Sequence, residues 1–342
     1  MRLNGTEPDH SNGRDDMADK LVTIFGGSGF IGRHLVRHLA AQGWRVRIAV
    51  RDVALAGFLK TAGNIGQISL MPVSATDPVG VAEAVKGADA VVNLVGVLYG
   101  RGKRSFQAMH VDAAANIAKA AAAAGVPRLI HMSALGADES SPSQYAQSKA
   151  AGEAAVRAAF PNATIFRPSV VFGTEDGFFN LFGMIAQISP VLPFFTDTNP
   201  LTPAGGGPKF QPVYVGDVVE AMTQALTDNG HAGKIYELAG PRIYSMRDIM
   251  HMVNRETQRN RWVIGVPFIL AQMKSLFLQF LPTPLLTPDQ VRQLKLGSVA
   301  AGHKPGLAVF GISPTTAEVV VPTYLKRYRP VQQTKKLRLQ AR

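Results

Sequence analysis

Tyr145 and Lys149 stand four residues apart in the run Tyr145-Ala146-Gln147-Ser148-Lys149. On a helix that spacing puts a phenol and an ammonium on one face, so the cation can sit near both the phenol and a bound ribose. A phenol placed in this way is equipped to give or take a proton. Ser133 lies upstream, directly after residues 128–132. A second constellation comes earlier in the chain. Gly26, Gly29 and Gly32 recur at every third position after the apolar, β-branched residues 21–25, and an amphipathic run over residues 33–42 follows at once. That order is a strand, a tight turn and a helix. Residues without a Cβ let the turn and the helix N-terminus approach a pyrophosphate closely enough for amide N–H groups to donate to it. A glycine triplet alone is a weak signal, and the flanking strand and helix are what give it weight.

The elements that must position these groups alternate along the chain. Strands are expected over residues 45–50, near 67–72, over 90–95 and over 128–132, with helices over 79–86 and 106–124. The last of these helices is alanine-rich and stops at Gly125, with Pro127 just beyond, as helix ends commonly do. Residues 90–95 are almost continuously apolar, as a parallel strand covered on both faces should be, and Asn93 and Gly96 interrupt the run where a cofactor would lie. Such alternation, without hairpin signals, predicts an α/β fold with a doubly wound parallel sheet. Ligands on such sheets bind at the carboxyl ends of the strands, where Gly26, Arg51, Asp77, Gly96 and Ser133 all fall. An arginine after the second strand pairs with the 2′-phosphate of NADP, whereas an acid there accepts from the ribose hydroxyls of NAD. Arg51 therefore favours NADP, and Asp52, one place later, keeps NAD as the lesser alternative. Arg33 supplies a second cation near the phosphates. Asp77 either accepts from the adenine amino group or caps the helix that follows it.

With 342 residues, 46% of them hydrophobic, the chain has room for a nucleotide-binding domain and a smaller companion. There is no cysteine, which excludes disulfides, thiolate nucleophiles and cysteine-ligated metals. The eight histidines are scattered without metal-ligand spacing, so they read as surface or capping residues and no metal site is expected. A formal charge of +12 favours an anionic partner, but no helix-turn-helix, zinc finger or aromatic-interleaved basic stretch points to nucleic acid. Residues 1–19 are polar and carry Glu7, Asp15, Asp16 and Asp19. They resemble neither a signal nor a transit peptide and read as a disordered leader, with Met17 an alternative start. After Gly173 the sequence turns rich in Phe, Pro and Gly and reads as an irregular excursion over the sheet's carboxyl edge. Residues 262–281 are the least polar of the chain and read as a helix, with Gln272, Ser275 and Gln279 forming a narrow polar stripe. Pro267, Lys274 and the glutamines argue against a membrane span. Such a helix must cover itself against its own domain, a partner or a bilayer surface. Residues 326–342 hold seven basic side chains and no acid, a solvated end or a contact for anionic headgroups. The expected division is 20–177 plus 210–240 for the nucleotide domain, 178–209 plus 241–325 for a smaller, mostly helical and irregular domain, and 326–342 for the tail.

From residue 21 to about 240 the chain resembles the short-chain dehydrogenase/reductase superfamily. In that superfamily such a lysine lowers the tyrosine pKa, and a serine holds the substrate oxygen for hydride transfer. Phe160-Pro161, Arg167-Pro168-Ser169, Phe172-Gly173-Thr174-Glu175-Asp176 and Gln211-Pro212-Val213-Tyr214-Val215 are similar to the NADPH-binding accessory subunits of respiratory complex I. The resemblance implies NADPH held without established turnover, in a peripheral subunit on the cytoplasmic face of a bacterial inner membrane. It implies contacts with peripheral-arm and membrane-junction subunits and with an anionic membrane surface. The implied nucleotide contacts are Gly26, Gly27, Ser28, Gly29, Phe30, Ile31, Arg51, Asp77, Leu94, Val95, Gly96, Ser133, Tyr145, Lys149 and Pro168. One departure bears on catalysis. Active extended members carry two or three hydroxyl residues after the strand, the catalytic one two places after the first, whereas here the run is His131-Met132-Ser133-Ala134-Leu135. If the register starts at Met132 the catalytic place is Ala134, and if Ser133 occupies it a Ser133, Tyr145, Lys149 triad survives. Two other readings stay open. One is an NADP-dependent reductase, epimerase or dehydratase acting on a nucleotide sugar, quinone precursor or isoprenoid-like molecule, and the other is an NADP-binding redox sensor.

Overall fold

The computed structural model describes residues 20–102, 104–197, 205–281, 284 and 286–330. β1 (Leu21–Phe25) ends in the glycine turn, and α1 (Phe30–Ala41), β2 (Arg45–Val50), a short α2 (Val53–Ala56), β3 (Ile68–Pro72) and α3 (Pro78–Val85) follow. β4 (Ala90–Asn93) leads to a π-helical turn (Gln107–Asp112) that runs into α4 (Ala113–Ala123), then β5 (Leu129–Met132), α5 (Gln144–Ala159) and β6 (Thr164–Pro168). Next come β7 (Val171–Phe172), α6 (Phe179–Ile188), β8 (Val191–Thr196), β9 (Lys209–Phe210), β10 (Val213–Tyr214), α7 (Val215–Thr227) and β11 (Ile235–Leu238). β12 (Tyr244–Ser245), α8 (Met246–Thr257), β13 (Trp262–Pro267), α9 (Phe268–Leu278), α10 (Pro288–Leu296) and α11 (Ala317–Leu325) complete the order.

Alternate residues of the central strands are apolar on both faces, so both faces need cover. Val22 and Ile24 of β1 and Val92 of β4 face a cluster with Leu35 and Leu39 of α1 and Val218 and Met222 of α7. Phe25 and Val91 face the opposite cluster, with Val81 of α3, Ile117 of α4 and Val156 of α5. The sheet between them has seven strands in the order β3-β2-β1-β4-β5-β6-β11. Every neighbouring pair is parallel. The expected doubly wound sheet is the one found, with its topological switch point between β1 and β4. Beyond the sheet a third core gathers Phe172, Phe179, Phe194, Met250, Val321 and Tyr324, and a small fourth one holds Phe268, Ala271 and Val291.

Several local expectations are corrected. The stretch after Gly173 is ordered in part as α6, which buries Phe179, Phe182 and Ala186 at helical spacing, and as β8, which buries Leu192, Phe194 and Thr196 at strand spacing. Residues 198–204, within the expected excursion, lie outside the described residues. The apolar stretch from residue 262 is not one helix. Its first six residues pair in parallel with β8, Trp262 opposite Val191 through Pro267 opposite Thr196, and the helix starts only after Pro267. β-Branched Val263, Ile264 and Val266 suit a strand. The polar stripe fails too, because Ser275 is fully buried beside Phe268 and Ala271, its hydroxyl donating to Gln272 O, while Ile269 and Phe277 are 70% and 78% exposed. The expected helix over residues 106–124 opens as a π turn rather than an α-helix. At the other end the first tail residues are packed, with Arg327 donating to Tyr324 O and Arg329 to Glu256 O. The expected leader 1–19 and residues 331–342 of the tail lie outside the described residues. Among the described residues no helix is long and apolar enough to cross a membrane.

Candidate functional site

The glycines divide the work of the turn. Gly26 has φ +82°, which disfavours any L side chain, and a Cβ there would lie 2.9 Å from the Leu94 carbonyl group. A Cβ on Gly32 would meet Gly26 O at 2.4 Å and Gly27 Cα at 2.6 Å, so this glycine lets the first turn of α1 lie against the glycine turn. A Cβ on Gly29 would meet only Gly26 O, at 3.2 Å, and Gly29 N donates to Gly26 O at 3.0 Å to close the turn. The N-cap residue, Gly29, has no side chain to cap α1, and no acid stands in its first turn, which leaves the start of the helix suited to an anion. Arg33 folds back over the turn, donating to Ser28 O at 3.2 Å and Gly29 O at 3.3 Å, with its guanidinium 5.3 Å from the Phe58 ring centroid.

At the end of β2, Arg51 is exposed. Asp52 accepts from Ala54 N and Leu55 N at 2.9 and 3.2 Å, so its carboxylate caps α2. Past β3, Asp77 accepts from Val79 N at 3.1 Å and caps α3. At the end of β4, Leu94 N donates to Phe25 O at 2.9 Å and Val95 N to Asn93 Oδ1 at 3.0 Å. A Cβ on Gly96 would lie 3.3 Å from Lys149 Nζ and 3.6 Å from His110 Nε2, so Gly96 and Lys149 share one corner. Pro168, buried at the end of β6, accepts from Leu135 N at 2.9 Å. The switch point and the flanking strand ends thus gather Gly26, Leu94, Gly96, Ser133, Tyr145 and Lys149 on one half of the edge, with Arg51 and Asp77 on the other.

The Tyr145 corner departs from the expected chemistry. Lys149 is buried, donates to Met132 O at 3.2 Å and lies 5.9 Å from the Tyr145 ring centroid. Burial draws its pKa down to about 8, against the pull of Glu153. The Tyr145 ring is walled edge-on by Phe106 and His110, at 6.0 and 5.4 Å. Burial pushes the phenol up to about 12, where the resemblance implied a lowered value, because desolvation disfavours the phenolate. Ser133 N donates to Phe166 O at 2.8 Å and so continues the β5 ladder, while its hydroxyl is sealed from solvent and finds no partner among the described residues. As it stands, the corner offers a neutral phenol and a buried serine hydroxyl that makes no hydrogen bond among the described residues.

Three histidines expected at the surface are buried. His110 Nε2 accepts from Val97 N at 3.0 Å, so Nδ1 carries the proton and donates to Ser148 Oγ at 2.8 Å, which in turn donates to Tyr145 O at 2.8 Å. His131 Nδ1 accepts from Asn93 Nδ2 at 3.1 Å, leaving Nε2–H buried without a partner among the described residues. Burial first, then the charge of Lys149, draws both pKa values down to about 3, so both rings are neutral. His231 pairs with the Tyr236 hydroxyl at 2.7 Å. The sequence held no signal for the role of His110, because nothing marks the π turn that swings it toward Gly96. Behind Lys149, Glu153 grips Arg167 through two hydrogen bonds of 2.8 Å each, with Glu237 at 4.0 Å on the next strand. Among the described residues no three His, Asp or Glu side chains gather to hold a metal ion.

Comparison with known proteins gives this geometry its context. The chain is 32% identical to the 40 kDa subunit of mitochondrial NADH-ubiquinone oxidoreductase, respiratory complex I, from Neurospora crassa over 321 residues, covering 94% of this chain and 82% of the relative. It is 39% identical over 183 residues to a ceramide reductase from Caulobacter vibrioides, covering 52% of this chain and 55% of that one. An Escherichia coli NADPH-dependent quinone oxidoreductase solved with NADPH shares the fold, with a TM-score of 0.67, 20% identity and coverage of 89% of this chain and 99% of that one. The sequence profile of the NmrA-like family matches residues 18–286, and the chain belongs to that family.

Proposed function

We propose that this chain is an NADPH-holding accessory subunit of respiratory complex I, in which the nucleotide stabilises the subunit and is not turned over. The observation that carries the reading is the contrast within the crevice: close main-chain approaches leave Gly26 and Gly32 no room for a side chain, while the hydroxyl after β5, on Ser133, is buried without a partner among the described residues. The resemblance to a complex I subunit over 94% of the chain supports the assembly. Arg51 holds the 2′-phosphate, Asp52 being occupied as a helix cap, and Lys149 and Tyr145 bind the nicotinamide ribose. The subunit docks on the peripheral arm near the membrane junction, its basic surface toward anionic headgroups, on the cytoplasmic face of a bacterial membrane. When bound, NADPH would supply hydride chemistry. In this reading the chain's own residues orient and retain it, and no substrate oxygen meets a second donor. A ligand present at 100 times its dissociation constant stabilises the folded state by ~2.7 kcal/mol. The test is to solubilise membranes gently, follow the chain on a native gel and identify the nucleotide released on denaturation. Migration with NADH:quinone oxidoreductase activity and release of NADPH support the reading. A chain found only in the soluble fraction, or one that releases NAD, refutes it.

A second reading is an NADP-dependent reductase of a lipid ketone. The higher identity to the ceramide reductase over half the chain favours it, as does the presence of both Tyr145 and Lys149. It requires Ser133, or another donor, to reach the crevice. NADPH oxidation that depends on a ceramide-type ketone and disappears in Tyr145→Phe would put this reading first.

A further inference from the structure

α10 begins with an unusual division of labour. Its own N-terminus is closed by a capping box, in which Thr287 Oγ1 accepts from Gln290 N at 3.2 Å and Gln290 Oε1 accepts from Thr287 N at 2.9 Å. Asp289, the second residue of the helix, is thereby released from that task. Its carboxylate turns to a different helix altogether. Oδ1 accepts from Gln144 N at 2.7 Å, and Oδ2 accepts from Tyr145 N at 3.0 Å and from Ser143 Oγ at 3.1 Å. Those groups are the N-cap and the first two residues of α5. A carboxylate at this place answers both the orphan amides and the positive end of the helix dipole. Arg292, one turn further along α10, lies 3.9 Å from Oδ1.

The two ends of this contact belong to different parts of the molecule. α5 carries Tyr145 and Lys149, the wall of the nucleotide crevice. α10 packs through Val291 on Phe268 and Ala271 of α9, a small core separate from the cores that cover the sheet. α9 is the helix that leaves Ile269, Met273 and Phe277 exposed. The far end of α10 is fastened where Ser298 N donates to Lys209 O at 2.9 Å. An α9–α10 arm held in this way cannot shift its near end without pulling on the turn that sets Tyr145.

We propose that Asp289 is a positioning residue for the nucleotide site, and that through it the seating of the α9–α10 arm and the retention of NADPH form one coupled equilibrium. The proposal rests on the nucleotide-holding reading above and adds to it a route by which a partner that grips the apolar arm tightens the hold on the nucleotide. Linkage makes the effect reciprocal, so NADPH must also steady the arm.

The test uses the full chain, with hydrogen exchange over residues 268–296 and 143–149 followed with and without NADPH, and NADPH affinity measured by fluorescence. In the wild type, NADPH is expected to slow exchange in α9–α10 by about fivefold or more, the low end of ordinary coupling between sites. Asp289→Ala is expected to weaken NADPH binding by a comparable factor and to abolish that protection. Asp289→Asn, which keeps the volume and one acceptor, falls between them and serves if the alanine variant does not fold. Asp248→Ala removes a carboxylate that caps α8 and is the control for a merely structural loss, expected to leave both readouts unchanged. NADPH that binds without slowing exchange in the arm, or Asp289 variants that bind it as the wild type does, would overturn the coupling while sparing the nucleotide reading. A wild-type chain that binds no NADPH brings down both.

Discussion

The two halves of the crevice are built to different standards. On the glycine side the close approaches of Gly26 to Leu94 and of Gly32 to Gly26 and Gly27 are backbone against backbone, while Gly27 lies against the Ile48 side chain. On the Tyr145 side, polar atoms are packed away. Ser133 Oγ and His131 Nε2 are buried without partners among the described residues, His110 and His131 are held neutral, and Lys149 donates to a main-chain carbonyl. The difference teaches that a binding cradle and a reactive corner can be maintained independently on one sheet edge, because the first depends on the absence of side chains and the second on their exposure.

The hardest blow to the contrast is Gly32→Val. The Cβ would meet main chain that cannot move aside, so stability is expected to fall by about 3 kcal/mol or more, with complete loss of bound nucleotide, as urea unfolding and nucleotide release would show. Acid tests the other half. His110 and His131 have folded pKa values of about 3, below an unfolded value near 6.5, so between those limits the unfolded chain binds more protons. The stability they allow is fully present above pH 6.5 and is lost as pH falls toward 3. By pH 5 each histidine costs about 2 kcal/mol, and urea midpoints at pH 7 and pH 5 should converge in His131→Gln relative to the wild type. Arg51→Ala sharpens the cofactor assignment. NADPH affinity is expected to drop by about 1.5 to 2 kcal/mol with NADH affinity unchanged, and equal loss for both nucleotides in a fluorescence titration would refute the 2′-phosphate contact. The smallest effect is expected from Tyr145→Phe, which should change NADPH affinity by less than about 1 kcal/mol and leave complex I activity intact.

What was legible in the sequence follows the range of the interactions involved. The strand, glycine turn and α1 could be read because their cause is local, a short apolar, β-branched run followed by a missing Cβ at fixed places. The parallel sheet could be read because short apolar strands separated by helices have few other ways to pair. The buried histidines could not, since His110 depends on a π turn and on Val97, and His131 on Asn93 across the sheet. β13 was mistaken for helix because six apolar residues carry no period that separates strand from buried helix, and its partner, β8, lies far back in the chain. Asp289 was invisible for the same reason, its three hydrogen bonds reaching back to residues 143–145. Ser133 shows the limit most clearly. Its position after β5 was correct, but whether a hydroxyl is exposed is settled by packing, and here packing buries it.

The contact between Gly26 and Leu94 also bears on time rather than affinity. With two main chains pressed together at the switch point, the floor of the crevice has no slack with which to breathe. If a dinucleotide lies there as proposed, its release would depend on the opposite wall, the first turn of α5, and a slow, single-phase release on dilution is the kinetic signature to look for.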